Sequence, residues 1–159
     1  MRDVTPGAKP IDIKLLLNDL LEFVKSPVEK IKQLPDWNWP SVFTVQILLA
    51  LASGILAGLI KLNFYRVLYG LFLMPIVTTV SAMLLALFVY YYFQFFEERT
   101  ESFRKLLTFV ILASIPFFIF QVISEYLRFI SLIGFAFTSL LAIIGLTEIL
   151  ESKKGAPSF

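Results

Sequence analysis

The chain alternates long apolar runs with short polar segments. Apolar runs occupy residues 41–60, 67–96, 106–123 and 129–149. A helix needs about 20 apolar residues to cross a hydrocarbon core of about 30 Å, and the run 106–123 falls slightly short of that. Because lipid offers no hydrogen-bond partner to the backbone, all four runs are predicted to be helices. The pattern predicts an all-α polytopic membrane helix bundle with four transmembrane helices, spanning about 41–60, 67–96, 104–124 and 129–150.

The segment ahead of these runs carries an amphipathic pattern. Its apolar residues recur at helical spacing opposite a mixed-charge side: Ile13, Leu16, Leu17, Leu20 and Val24. The residues 26–29 (SPVE) predict the start of a second short helix, with Ser as cap and Pro in the first turn. Residues 1–40 are thus predicted to be a cytoplasmic tail with an N-terminal amphipathic helix. Two interpretations stay open, a helix packed under the bundle at the membrane surface and a docking face for a protein partner.

Small residues recur four apart on the first and fourth runs. The two stripes are Ala50, Gly54, Gly58 and Gly134, Thr138, Ala142. Small side chains let another helix approach closely, so both stripes are predicted helix-packing surfaces. The first stripe is compatible with internal packing, with contact between two copies in a homo-oligomer, or with no role.

The second and third runs each contain a proline, and both prolines fall at a similar depth. Pro75 lies eight residues after Val67 and Pro116 seven before Ile123, which places both about 10–12 Å from the same membrane surface. Two kinks at one depth can splay the outer halves of antiparallel helices and open a groove. The predicted groove residues are Thr78, Thr79, Ser114 and Gln121, with Arg128 at the mouth to meet a lipid phosphate. The alternative is that each proline only bends its helix to fit its neighbours.

The basic residues predict an orientation. If the N-terminus is cytoplasmic, the inner segments hold Lys25, Lys30, Lys32, Arg99, Arg104, Lys105, Lys153 and Lys154. The outer turns then hold Lys61, Arg66 and Arg128, the last of which is predicted to pair with Glu125 three residues earlier. By the positive-inside rule both ends of the transmembrane domain 41–151, including the tail 152–159, are predicted to be cytoplasmic.

Composition narrows the function classes. Hydrophobic residues make up 58% and charged residues 16%, below the ~25% of a soluble domain. The net charge of +2 is too small to indicate nucleic-acid binding, and the chain has no Cys and no His. The commonest general base and metal ligand is therefore missing. We predict no enzyme activity, no metal and no cofactor. Gln46 and Gln121 are the strongest polar groups within the runs, predicted to form interhelical hydrogen bonds or to contact a ligand.

Several short stretches occur in the order and spacing of a known family. They are 25–31 (KSPVEKI), Trp39-Pro40, 101–107 (ESFRKLL), 113–116 (ASIP) and 143–146 (IIGL). In this the chain resembles the Yip (Ypt-interacting protein) family in its bacterial form, which implies a protein of the bacterial inner membrane. It departs from the family in showing four spans where five are usual, and in Ile111-Leu112 where Gly-Tyr is expected. Eukaryotic relatives bind Rab GTPases and act in vesicle traffic, whereas the bacterial form implies no established reaction.

Two functions are expected from these patterns. The first is non-enzymatic membrane organisation or trafficking through membrane lipids or a protein partner, which a closed bundle with an exposed apolar N-terminal face would favour. The alternative is a small oligomeric transporter or lipid-handling protein, which an open groove would favour.

Overall fold

The computed structural model describes residues 11–125 and 129–154, with side chains through residue 151. Within those ranges the chain forms helices and no strand. In order they are α1 (Ile13–Lys25), α2 (Pro27–Lys32), α3 (Trp39–Ile60), α4 (Phe64–Leu68), a π-helical segment (Tyr69–Leu73), α5 (Met74–Phe96), α6 (Phe103–Ala113), α7 (Ile115–Ser124) and α8 (Ile130–Lys154).

Four helical stretches are long and apolar enough to cross a membrane. They are Trp39–Ile60, Phe64–Phe96, Phe103–Ser124 and Ile130–Glu151. The predicted all-α bundle with four membrane-capable helices is confirmed. The second stretch begins three residues earlier than the apolar run because Asn63 caps it, with Asn63 Oδ1 accepting from the Arg66 backbone N–H at 3.3 Å.

Both prolines come directly after an irregular turn. The π-helical segment Tyr69–Leu73 ends just before Pro75, and a break at Ser114 separates α6 from α7 ahead of Pro116. A proline has no backbone N–H and its ring displaces the preceding turn, which accounts for both positions. The Phe117 backbone N–H beside the second break donates to Thr138 Oγ1 on α8 at 3.1 Å. A neighbouring helix therefore supplies the acceptor that pins the start of α7.

The third span forms the centre of the bundle. Every residue of α6 from Leu106 to Ala113 is buried. The helices α2, α3, α5 and α8 all pack against α6, whereas α7 packs chiefly on α3 and α8. Beyond the break at Ser114, the third span thus packs on α3 and α8 and no longer chiefly on α5. A cavity remains between α5 and α7.

The N-terminal helices are seated on this core. Leu16, Phe23 and Ile31 belong to the main buried cluster, and Trp37 Nε1 donates to Asp19 Oδ2 at 2.8 Å. The predicted apolar stripe is therefore divided between two faces, because Leu17 and Val24 stay exposed while Leu16 is buried. That stripe omits Phe23, although Phe23 takes the largest buried position on α1.

The contacts that charged side chains make between segments of the chain lie at the two ends of the bundle. At one end, which we call the inner end, Arg104 bonds Asp36 at 2.7 Å, Lys32 pairs with Glu148 at 3.7 Å, and Arg99 Nη1 donates to the Leu150 carbonyl at 3.0 Å. At the opposite end, the outer end, Arg66 Nη1 donates to Glu125 Oε2. Segments that the charge pattern assigns to one side of a membrane are thus joined to each other.

Candidate functional site

The cavity between α5 and α7 is the largest feature of the candidate site, and we call it the groove. Its volume is about 380 Å³, within the ~300–1,000 Å³ of small-molecule sites. Its wall is made by Gln46, Met74, Val77, Thr78, Ser81, Ala82, Leu85, Val110, Ser114, Phe117, Phe118 and Gln121. Val77 and Leu85 are about half exposed, so the groove opens to the outside of the bundle along α5. Mostly apolar walls with a few polar groups are typical of a ligand cleft.

Two glutamine side chains leave buried carbonyl oxygens in this wall. Among the described residues, Oε1 of Gln46 and Oε1 of Gln121 have no hydrogen-bond partner. Gln46 is only 2% exposed, and Gln121 makes a single weak interhelical contact, from Nε2 to Met74 Sδ at 3.8 Å. An unpaired buried acceptor costs about 1–3 kcal/mol, so both oxygens are suited to a ligand that donates hydrogen bonds.

Two hydroxyl groups of the groove also favour a ligand that donates hydrogen bonds. Thr78 Oγ1 donates to the Met74 carbonyl at 2.8 Å and Ser114 Oγ to the Val110 carbonyl at 2.7 Å. Each hydroxyl has committed its one proton to its own helix and presents lone pairs to the groove. These polar groups of the wall therefore act as acceptors.

A smaller cavity of about 140 Å³ adjoins the outer end of the groove, and we call it the mouth. The mouth and the groove share Met74 and Gln121 as wall residues, and Arg66 and Glu125 line the mouth. The two charged side chains are hydrogen-bonded to each other and are 50% and 19% exposed. The site thus combines an apolar channel with a charged entrance at the end of the helices.

A comparison with models of protein families gave a match over most of the chain. The model of the Yip1 domain matches residues 21–158. The chain belongs to the Yip1-domain family. Searches of curated proteins and of solved structures gave no significant match. Together with the four membrane-capable helices, the match makes this Yip1-domain protein a multi-pass membrane protein.

The predicted groove residues of the Yip1 domain divide into three sets. Thr78, Ser114 and Gln121 line the groove. Pro75 and Pro116 lie at the helix irregularities beside it without entering its wall, and Thr79 is half-buried on α5 outside that wall. Arg128, and with it the predicted Glu125–Arg128 pair, lies outside the described residues. The basic residue at the mouth is Arg66, which sequence reasoning counted only for orientation.

The small-residue stripes of the Yip1 domain face other helices of the same chain. A Cβ at Gly54 would lie 2.6 Å from Gly70 Cα, and one at Gly58 would lie 2.7 Å from the Val67 nitrogen. Ala50 is fully buried and packs with Met74 and Phe118. On α8, Gly134 lies against Phe120, Thr138 bonds Phe117, and Ala142 packs on the main cluster. The contacts favour the internal-packing interpretation of the first stripe.

A second surface of interest is the exposed face of α1. Ile13, Leu17, Leu21 and Val24 lie along it, each about half exposed. Beside it, Lys30 Nζ bonds Glu22 Oε2 at 2.5 Å. This hydrogen bond lowers the pKa of Glu22 and raises the pKa of Lys30. Both groups are exposed, so the pair adds little to stability and mainly fixes the approach of α2 to α1.

Proposed function

We propose that this Yip1-domain protein is non-enzymatic and acts in membrane organisation or trafficking by binding a membrane lipid in the groove. One observation carries the proposal. The groove opens sideways from the bundle at the level of the spans, and where it meets the mouth it holds a buried acceptor, Gln121 Oε1, that nothing among the described residues satisfies. A membrane lipid whose head group carries N–H or O–H donors supplies both an apolar chain for the walls and a donor for that acceptor.

The chemistry of the groove supports binding over catalysis. Among the described residues in its wall, none is Asp, Glu, Lys or Arg. Acid–base or nucleophilic catalysis needs a titratable or activated group within hydrogen-bond reach of the reacting atom. The hydroxyls of Thr78 and Ser114 are bonded to their own backbone. The groove therefore suits retention of a lipid.

A second candidate function is contact with a protein partner through the exposed face of α1. The specific observation is that an apolar stripe on α1 stays outside the core while the opposite side of the helix is packed. An amphipathic face of this kind fits a partner groove or the membrane surface itself. The open groove is also the feature expected for the alternative, a small oligomeric transporter or lipid-handling protein, whereas the exposed apolar face of α1 is the feature expected for the first function. The two functions differ in the step that follows lipid binding.

Filling the groove tests the lipid proposal. The protein is reconstituted into nanodiscs of mixed phospholipids, returned to mild detergent, and the lipid retained per chain is counted by native mass spectrometry. We expect Ala82→Phe, which adds a ring inside the wall, to lower lipid retention about tenfold, the equivalent of ~1.4 kcal/mol. Ser81→Trp, an exposed residue of the same wall, should act similarly without disturbing the buried core.

The matched control is Leu84→Phe, which also enlarges the α5 surface. Leu84 is well exposed and is not part of the groove wall. Its lipid retention should equal that of the unaltered protein. Equal retention in all four proteins would show that the groove is not the lipid site.

The proposed orientation, with both ends in the cytoplasm of a bacterial inner membrane, is tested by single-cysteine labelling. Because the chain has no cysteine, the unaltered protein is a blank. Asn63→Cys at the outer end should react with a membrane-impermeant maleimide on intact cells, and Thr100→Cys at the inner end should not. Both positions are exposed, so both should react once the membrane is dissolved. The reverse pattern on intact cells would overturn the orientation.

A further inference from the structure

We infer that the mouth is a head-group subsite for a phospholipid that carries a primary ammonium beside its phosphate, as phosphatidylethanolamine does. The inference rests on the proposed function, because it names the lipid class that the groove would hold. In this assignment Arg66 binds the phosphate, while Glu125 and Gln121 accept hydrogen bonds from the ammonium.

The mouth is continuous with the groove. The mouth and the groove share Met74 and Gln121, so a molecule whose chain fills the groove has its polar end at Arg66 and Glu125. These residues lie at the outer end of the second and third spans, where a bilayer presents its head groups. A lipid can thus occupy both cavities in its ordinary orientation across one leaflet.

The mouth presents one positive and one negative side chain, Arg66 and Glu125. The structure records one Arg66 N–H bonded to Glu125, and a guanidinium has five N–H donors in a fork that fits phosphate oxygens. Half of the Arg66 side chain is exposed. A zwitterionic head group can insert between the two residues and give each charged group an opposite charge, whereas an anionic head group would leave Glu125 facing negative charge.

The hydrogen-bond acceptors of the mouth distinguish a primary ammonium from a methylated one. Gln121 lies four residues before Glu125, the residue that caps the C-terminus of α7, and both side chains line the mouth. Gln121 Nε2 is turned to Met74 Sδ, which leaves the buried Oε1 as an unpaired acceptor. A primary ammonium has three N–H donors for Glu125 and Gln121. The trimethylammonium of phosphatidylcholine has none and would leave Gln121 Oε1 unsatisfied.

The test compares lipids with identical dioleoyl chains in the nanodisc and mass-spectrometry assay. We expect the unaltered protein to retain phosphatidylethanolamine about tenfold better than phosphatidylcholine, since the methylated head leaves a buried acceptor unpaired. Gln121→Leu should reduce that preference to within about twofold while retention of phosphatidylcholine stays the same, because only a primary ammonium donates to Gln121 Oε1. Glu125→Gln should weaken retention of both lipids, because Glu125 faces the positive charge that both head groups carry. Arg66→Gln should weaken retention of both lipids, because both carry the phosphate.

The matched control is Glu148→Gln, which removes one carboxylate from an ion pair at the inner end of the bundle. It should keep the full preference. Gln121→Leu keeps the test decisive if Glu125→Gln fails to fold, because it leaves the Arg66–Glu125 pair intact.

Three outcomes would overturn the head-group assignment. Equal retention of the two lipids, with retention still sensitive to Ala82→Phe, would end the assignment and leave the groove proposal standing. Stronger retention of phosphatidylglycerol than of phosphatidylethanolamine would show a site that reads negative charge through Arg66 alone. Retention that Ala82→Phe and Ser81→Trp do not change would remove the proposed function and the assignment with it.

Discussion

Replacing Gly54 and Gly58 together by leucine is expected to lower the melting temperature of the bundle in detergent by roughly 5–10 °C or more. A Cβ at Gly54 would lie 2.6 Å from Gly70 Cα and 2.9 Å from Gly70 O, so the contact is with backbone that cannot rotate away. Overpacking costs about 1–3 kcal/mol per site, and each kcal/mol lowers the melting temperature of a chain of this size by roughly 2–4 °C.

Heating followed by fluorescence-detected size exclusion measures this effect. The matched control is Ala136→Leu, which enlarges a small exposed residue on α8 and should leave the melting temperature unchanged. If the double variant melted like the control, the contact between α3 and the second span would be wrong. If it changed only the oligomer size, the stripe would be a contact between copies and the internal packing would be refuted.

The sequence predicts one side of this contact, the stripe on α3, and does not predict the other side, Gly70. The spacing of Ala50, Gly54 and Gly58 predicts a close helix approach, because small residues four apart form one flat face. Gly70, which receives that face, carries no such pattern, since it is isolated in its own run. Its position depends on the π-helical segment Tyr69–Leu73, whose extra residue per turn shifts every side chain that precedes Pro75.

The groove is predictable in outline from the depths of the two prolines. Thr78, Ser114 and Gln121 are found from that geometry because each is within one turn or two of a proline on the groove side. The same geometry does not predict Arg66, because Arg66 is nine residues from Pro75. Whether its side chain reaches the mouth depends on the turn 61–63 that joins α3 to α4. Local spacing predicts a pair of Glu125 with Arg128, which lies outside the described residues, but it does not predict the contact of Glu125 with Arg66 on the second span. The partners of long side chains at helix ends depend on how the helices pack, which the periodicity of the sequence does not predict.

For Gln46 the sequence predicts a polar role but not which one. A polar group within an apolar run predicts either an interhelical hydrogen bond or a ligand contact, and spacing alone cannot separate the two. In the structure Gln46 lines the cavity between α5 and α7, and its buried Oε1 has no partner among the described residues. This observation favours a ligand contact. The start of α7 is tied to α8, where Thr138 Oγ1 accepts a hydrogen bond from the Phe117 backbone N–H.

Phe23→Ala should destabilise the bundle by about 3–5 kcal/mol, the cost of emptying a buried aromatic site. Phe23 is 2% exposed and belongs to the cluster that surrounds α6. The loss should appear as a lower melting temperature in detergent and as faster proteolysis of α1, since Leu16 and the Trp37–Asp19 bond would then be the main contacts that hold this helix on the bundle. Such a result would make α1 part of the core of the bundle.

The matched control on the same helix is Leu21→Ala. Leu21 is 58% exposed on the other apolar face, and a surface change of this kind alters stability by no more than ~0.5 kcal/mol. Equal stability of the two variants would mean that α1 does not rest on the bundle, and its whole apolar surface would then be free for a partner. A stable Leu21→Ala variant that loses membrane or partner contact, beside an unstable Phe23→Ala variant, would establish that α1 uses one face for folding and the other for binding.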